Sequence, residues 1–329
     1  MAVLVTGGAG YIGSHMVLEL VDAGERVVVL DDLSTGFDWA VPPGAELVVG
    51  DMGDQALVRR VIDQHGVEAI AHFAARIVVP DSVADPLGYY LNNTVKSRAL
   101  LESAVAGGVR QVIFSSTAAV YGEPETNPIL ETTPQAPINP YGRSKLMTEW
   151  MLADTARAHD LRYVALRYFN VAGADPKGRS GQSTPNATHL IKVASQAALG
   201  QRPYLQVFGT DYPTPDGSCV RDYIQVTDLA RAHTAALTHL RGGGDSLTLN
   251  CGYGRGFSVL EVIEVVKRVS GVDFEVRHVP RRPGDPAALV AGVDQIRSRL
   301  EWHPAYDDLT TIVEQALAWE RHLGQRNAG

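Results

Sequence analysis

The residues best suited to proton and hydride chemistry are Tyr141 and Lys145, four apart in "NPYGRSKLMTEWML" at the start of a helical stretch and therefore on one face. An ammonium about 5 Å from a phenol, at an effective dielectric near 20, favours the phenolate by about 3 kcal/mol, or about two pKa units. Tyrosine's ordinary value of about 10 would then fall to about 7 to 8. Such a phenolate can take the proton of a sugar or alcohol hydroxyl while the hydride on the same carbon leaves for a nicotinamide, whose positive charge pushes the same way. A third member is expected from a strand end facing the pair, and "FSSTAAVYG" supplies Ser115, Ser116 and Thr117. Hydroxyls there also cap or terminate strands; Thr117 is the one favoured to hydrogen-bond both a substrate oxygen and the tyrosine. Alone, a tyrosine and lysine at this spacing read equally as an exposed pair, so the chemistry needs a hydride acceptor encoded elsewhere.

That acceptor is signalled at the start of the chain. In "AVLVTGGAGYIGSHMVLEL", Gly7, Gly10 and Gly13 follow an apolar run and open a helical pattern. A turn without side chains there lets backbone N–H groups and a helix N-terminus approach a pyrophosphate. Glycines also serve tight turns and close packing, so context decides. The second apolar run, "RVVVL", ends in Asp31 and Asp32, 18 and 19 residues beyond Gly13, where a carboxylate accepts hydrogen bonds from the adenosine ribose. No Arg or Lys lies between Asp31 and Gly36, and a 2′-phosphate would be repelled, which favours NAD over NADP. Two further strand ends, at Asp51 and Phe73, fall where a dinucleotide would lie.

These residues need a frame. "AVLVTG", "RVVVLDD", "AELVVGD", "EAIAHFAA", "QVIFSST" and "YVALRYFN" read as strands buried on both faces, because polar alternation is lost. "SHMVLELVDAG", "QALVRRVIDQHG" and "SRALLESAVAGG" carry helical periodicity and end in glycine. The alternation predicts an α/β fold, a Rossmann-like doubly wound parallel sheet with a smaller mixed α/β C-terminal lobe. Residues 1–170 are expected to form the dinucleotide domain and 171–329 the substrate lobe, with a segment near 221–252 returning to the first domain. "RGGGD" reads as a turn between a helix and a strand.

Composition narrows the function. With 45% hydrophobic and 20% charged residues and a net charge of −8, the chain is globular and lacks the basic patch of a nucleic-acid or anionic-membrane binder. The opening apolar stretch is too short for a signal segment and no later one approaches a membrane span, so a cytoplasmic protein is expected. Cys219 and Cys251 are too few for a disulfide framework and lack the neighbours of a metal site; they are expected as free thiols, with no metal.

"TGGAGYIGSH", "DDLSTG", "HFAA", "YYLNNT", "SSTAAVYG", "PYGRSK", "RYFNVAGAD", "GTDYPTPDGSCVRDYIQVTDLA" and "RRPGDP" together make the chain resemble, nearly end to end, the nucleotide-sugar epimerases of the extended short-chain dehydrogenase/reductase family. The resemblance implies NAD held by Gly7, Gly10, Tyr11, Ile12, Gly13, Asp31, Asp32, Ser34, Asp51, Met52, Phe73, Ala74, Ala75, Asn92, Ser115, Tyr168, Tyr141 and Lys145. It implies Thr117 and Tyr141 at the reacting hydroxyl and Asn170 and Arg221 holding UDP. His189, Leu190, Phe208, Arg282 and Asp285 would surround uridine and diphosphate. Arg221 and Arg282 would neutralise a pyrophosphate in an otherwise acidic protein. The activity implied is reversible inversion of UDP-galactose and UDP-glucose at C4, through a 4-keto sugar that turns over between two hydride transfers.

Related dehydratases carry Thr-Asp-Glu where this chain has Thr117, Ala118 and Ala119, so no acid or base for elimination is present and the hydride should simply return. Leu289 stands at a gate position, intermediate between the aromatic residue of strict relatives and the small one of those admitting an N-acetyl group. Ile77 replaces a lysine of many relatives, with Arg76 beside it, and is not counted as a cofactor ligand. Gln225 replaces a frequent histidine, a change expected to be neutral at the lobe junction. A 4-epimerase of a UDP-N-acetylhexosamine, UDP-uronate or UDP-pentose is the alternative. A non-catalytic NAD-binding regulator would typically have lost Tyr141 or Lys145. Apolar stripes in "YYLNNTVKSRALLESAVAGG" and "SKLMTEWMLADTARAH", at segments through which relatives pair, imply a homodimer.

Overall fold

The computed structural model describes residues 2–185, 187–282 and 284–328; Pro283, within the "RRPGDP" stretch quoted above, lies outside them. The first half alternates β1 (Ala2–Thr6), α1 (Tyr11–Asp22), β2 (Arg26–Asp31), β3 (Ala45–Val49), α2 (Gln55–His65) and β4 (Val67–His72). After α3 (Val79–Ala84), α4 (Pro86–Tyr89) and a π-helical turn over Tyr90–Val95 come α5 (Lys96–Ala106), β5 (Gln111–Thr117), α6 (Pro140–Ala158) and β6 (Arg162–Tyr168). The second half runs β7 (Asn170–Ala172), α7 (Leu190–Ala198), β8 (Leu205–Phe208), β9 (Val220–Gln225), α8 (Val226–Arg241) and β10 (Leu247–Cys251). It ends with β11 (Gly256–Ser258), α9 (Val259–Ser270), β12 (Val276–Val279), β13 (Ala288–Leu289), α10 (Asp294–Leu300) and α11 (Leu309–Ala328).

Seven strands pair in parallel in the order β10-β6-β5-β4-β1-β2-β3. Helices cover both faces, which is why the strands are apolar on both. On one side Val3, Val5, Val29 and Leu166 meet Met16, Val17, Leu229 and Ala232; on the other Leu4, Val28 and Ile70 meet Val58, Ile62 and Leu100. The first of these clusters continues into the C-terminal lobe through Ile191, Ala194, Ile312 and Val313. Local signals start and stop the helices: Asp54 accepts from the N–H groups of Ala56 and Leu57 to open α2, and Gly66, at φ 61°, closes it.

The expected return of the chain to the first lobe divides at Gln225. β9 stays in the smaller sheet, pairing with β7, β11 and β13, whereas α8 and β10 join the large one. Ion pairs of Arg231 with Glu19 (3.1 Å) and of Arg241 with Glu25 and Glu68 (both 2.6 Å) fasten α8 to the N-terminal half. Gln225, expected as a neutral change at the lobe junction, makes specific contacts there. Its Oε1 caps α8 by accepting from the N–H groups of Thr227 and Asp228, and its Nε2 donates to Ala174 O (2.8 Å) and Gln315 Oε1 (2.7 Å). One buried amide therefore ties three segments of the junction, a role set by the meeting of elements distant in sequence.

Candidate active site

The glycine turn between β1 and α1 is built from its own packing outward. Gly7 has φ 72°, and a Cβ on it would come 2.5 Å from Ala74 N; a Cβ on Gly13 would collide with the Gly7 carbonyl oxygen. Gly10 is different, since its nearest neighbour for a Cβ is Gly7 O at 3.3 Å, and it precedes α1 with no side-chain cap. Two of the three glycines thus answer to internal contacts, and the middle one leaves the helix N-terminus open to an anion. Asp31, at the end of β2, accepts from the N–H groups of Ala9 (3.0 Å) and Leu33 (2.9 Å), so it braces this turn from below; burial pushes its carboxyl up. Asp32 is exposed and accepts from Ser34 N (2.9 Å) and Ser34 Oγ (2.5 Å). Asp51 pairs with Lys96 at 2.6 Å beside the buried Met52. Phe73 N and Ala74 N, with Ala75 following, bond to Thr6 O as the chain leaves β4. Tyr11, its neighbour Ile12 packed on the core, donates its hydroxyl to Gly173 O (2.8 Å). Asn92 donates to Asn93 Oδ1 (3.1 Å) within the π-helical turn, a local irregularity of the kind frequent at functional sites.

The chemistry-bearing residues meet where β5 ends against the first turns of α6. Asn139 caps α6 by accepting from Gly142 N (2.9 Å), with Pro140 at the first helical position. This sets Tyr141 beside Thr117, whose hydroxyl is near enough to pull the phenol's pKa down and accepts from Ala119 N (3.1 Å). Thr117 therefore both caps a turn and faces the tyrosine. Lys145 is buried and donates to Ser115 O (2.9 Å), while the Ser115 hydroxyl bonds the Tyr168 hydroxyl.

The electrostatics differ from expectation. Burial pushes the Tyr141 phenol up to about 12, against the opposing Thr117 hydrogen bond, instead of lowering it to 7 or 8. The reason is where the lysine points: its ammonium bonds a β5 carbonyl, and burial brings Lys145 itself down to about 7, opposed by the Glu149 carboxylate. Of its three N–H bonds, one is taken by Ser115 O, leaving two for the hydroxyls of a ligand. A buried amine with donors to spare at the end of β5 and an open glycine turn at the end of β1, two strands away in the same parallel sheet, fit a dinucleotide. A measurable consequence follows. The unfolded chain binds more protons than the folded one between about pH 7 and the ordinary lysine value, so the charged-lysine penalty is complete below about 7 and fades as pH rises. Lys145→Met should therefore be more stable than the unchanged protein to urea at pH 7 in the cofactor-free state, with the advantage shrinking toward pH 10. An equal difference at both pH values would contradict this assignment.

Behind Lys145 lies a network absent from the expected site. Glu149, one turn further along α6, accepts from Ser116 Oγ (2.5 Å) and, through both oxygens, from Arg167 Nε (2.9 Å) and Nη2 (2.6 Å). Arg167 Nη1 donates to Tyr121 OH (2.9 Å), which donates to Asn250 Oδ1 (2.7 Å). Asn93, buried at the foot of α6, bonds both backbone groups of Arg76 and donates to Ser144 Oγ. The buried polar residue in an otherwise apolar strand, Arg167 in "YVALRYFN", is the sequence signal that could have pointed to the pair.

The substrate-side residues fall into three groups. Asn170, His189 and Leu190 line a cavity that also contains Tyr11, Gln182 and Trp319; burial pushes the His189 imidazole down. Arg282 pairs with Asp285 (3.2 Å) and covers the Phe208 ring at 4.2 Å. Arg221 donates to Val220 O (2.8 Å), and Leu289 lies opposite Arg221 in the β13–β9 register, packed against the cluster of Ala118, Val120 and Tyr121. Ile77 is exposed, and Arg76 makes a 3.5 Å surface pair with Asp85. Cys219 and Cys251 are buried free thiols, and among the described residues no cluster of His, Cys, Asp and Glu is placed to hold a metal ion.

A parallel sheet opened by a glycine turn, with tyrosine, lysine and threonine gathered at its fifth strand, defines a dinucleotide-dependent enzyme of the short-chain dehydrogenase/reductase type. The chain belongs to the NAD dependent epimerase/dehydratase family, whose model matches residues 3–252. It is 60% identical over 323 residues to a UDP-glucose 4-epimerase of Azospirillum brasilense, covering 98% of this chain and 93% of the relative. The crystal structure of UDP-glucose 4-epimerase from Brucella ovis in complex with NAD superposes with a TM-score of 0.94 at 47% identity, covering 98% of each chain. The UDP-Glc/GlcNAc 4-epimerase of Campylobacter jejuni superposes with a TM-score of 0.86 at 47% identity, covering 98% of this chain and 99% of that one.

Proposed function

We propose that this protein is an NAD-dependent isomerase that interconverts UDP-galactose and UDP-glucose by inverting C4. The observation that carries the reading is the Thr117–Tyr141 contact followed by Ala118 and Ala119: a proton-transfer pair at the strand end with no acid or base beside it for elimination. When bound, NAD takes the C4 hydride and returns it. Tyr141 exchanges the proton of the C4 hydroxyl, Thr117 orients that hydroxyl, and Lys145 donates its spare N–H bonds at the cofactor. The dinucleotide is held by Gly7, Gly10, Tyr11, Ile12, Gly13, Asp31, Asp32, Ser34, Asp51, Met52, Phe73, Ala74, Ala75, Asn92, Ser115 and Tyr168, with Tyr141 and Lys145. Asn170, His189, Leu190, Phe208, Arg221, Arg282 and Asp285 grip UDP, so the hexose is free to turn and present its other face. In this division of labour residues 1–170, with the returning α8 and β10, carry the cofactor, and the rest of 171–329 carries the nucleotide sugar.

The test is a proton NMR time course of purified protein with UDP-galactose, without and then with added NAD. Relaxation to a mixture with UDP-glucose is expected; no change in either condition refutes the hexose assignment. A second tube with UDP-N-acetylgalactosamine examines the alternative favoured by the intermediate size of Leu289 and by the dual-substrate name of the Campylobacter relative.

The same reading makes the protein a homodimer. Val83, Leu87, Leu91 and Val95 recur every four residues through α3, α4 and the π-helical turn, all exposed, and α6, packed on the same turn, adds the exposed Trp150. Leu91→Glu should yield monomers by light scattering, whereas an unchanged protein that is already monomeric at micromolar concentration would end this part of the proposal. Two unpaired thiols suit a reducing compartment such as the cytoplasm, and among the described residues no helix is long and apolar enough to cross a membrane.

A further inference from the structure

A tier of aromatic rings joins the loop after β2 to the last helix. Phe37 and Trp39 lie 5.0 Å apart between ring centres, Trp39 and Trp319 6.2 Å apart, and the Arg326 guanidinium stands 4.2 Å from the centre of the Trp39 ring. Trp319, on α11, is 4% exposed; it lies so close to the backbone of Gly181 that a Cβ there would run into the indole, and its Nε1 donates to Ser183 Oγ (3.2 Å).

Each piece that Trp319 touches is fastened to the glycine turn. Phe37 N donates to Ala9 O (3.0 Å), Ala9 N donates to Asp31 Oδ2, and a Cβ on Gly36 would come 2.9 Å from Ala9. On the other side Ser14 Oγ and Ser180 Oγ are 2.7 Å apart, and Tyr11 donates to Gly173 O. Phe37 and Trp39 line a cavity with Gly10 and Tyr11, and Trp319 lines the neighbouring cavity with Asn170, His189 and Leu190.

We propose that Trp39 and Trp319 are positioning residues that latch the loop carrying Asp31, Asp32 and Ser34 over the dinucleotide, so that cofactor escape requires the indole pair to part. The inference rests on the NAD reading above. Asp32, Ser34 and Thr35 are exposed, and a loop of this kind opens readily unless something distant holds it. The two indoles, tilted 32° to one another with an arginine over the Trp39 ring, supply that hold from a helix more than two hundred residues away in sequence. An enzyme that regenerates its cofactor at every turnover gains from slow release.

The experiment loads full-length protein with NADH and follows its fluorescence as excess NAD displaces it. Trp39→Ala and Trp319→Ala should release NADH about tenfold faster than the unchanged protein, the loss of one aromatic pair. Trp319→Phe, which keeps a ring in place, should restore slow release. In Trp39→Ala the rate constant of turnover at saturating NAD should change far less than release, a split that a general loosening of the fold would not give. If Trp319→Ala fails to fold by circular dichroism, the half-buried Trp39 decides, and unaltered release in Trp39→Ala overturns the latch. An unchanged protein that takes up no NADH overturns the cofactor reading instead, and the latch with it.

Discussion

Tyr141→Phe should lower kcat by about a hundredfold to ten-thousandfold, the range for removing a positioned acid–base group, while UDP binds within about a factor of two of the unchanged protein. The substitution removes a single hydroxyl. The ring stays packed between Thr117 and the start of α6, and Asn139 and Pro140 continue to shape the helix N-terminus. Burial holds the cofactor-free phenol at about 12 and the amine at about 7, so the first proton lost as pH rises is the ammonium's. A cation brought beside the phenol lowers its value, so activity should rise with pH through the range where the phenol of the loaded enzyme sheds its proton. Phenylalanine has no proton to shed, and the residual rate should lose this rise. Measured by a coupled assay for UDP-glucose from pH 6 to 9, a variant retaining more than about a tenth of the rate would remove Tyr141 from the acid–base role.

Arg167→Met should destabilise the protein by about 3 to 5 kcal/mol, because it strands the Glu149 carboxylate in the interior. Arg167 and Glu149 are each about as buried as the surrounding core, and the carboxylate would keep only Ser116 as a partner. The double variant Arg167→Gln, Glu149→Gln should recover a large part of the loss, since no unpaired charge remains. Urea unfolding of both proteins decides the matter; a double variant as unstable as the single one would mean that shape, not charge, sets the penalty.

These two predictions mark how far the sequence could be read. The six strands of the N-terminal half were legible because parallel strands buried on both faces lose alternation, and Tyr141 with Lys145 because one helical turn relates them. The direction of the Lys145 side chain was not, since spacing along a helix places an amine on a face without naming the carbonyl it will meet. Glu149 was equally hidden: it sits next to the exposed Trp150, and its partner Arg167 lies in a different element, so the pair exists only in the register of α6 against β6. The glycines were read for a ligand, and two of the three are demanded by the chain's own backbone. The small sheet around β9, assembled from four stretches scattered over more than a hundred residues, offered no local pattern to follow.

The place of β10 bears on how the molecule is made. Until Leu247–Cys251 has left the ribosome, β6 is an open edge, with Val164 to Tyr168 presenting unpaired backbone groups, and α1 waits for the helix that will cover it. The nascent chain must hold a nearly complete sheet in an unfinished and adhesive condition while some eighty further residues are translated. A gene cut after residue 170 would fix that condition permanently, so separate expression of the two lobes should give insoluble material, and any split version of the protein must place its break beyond β10.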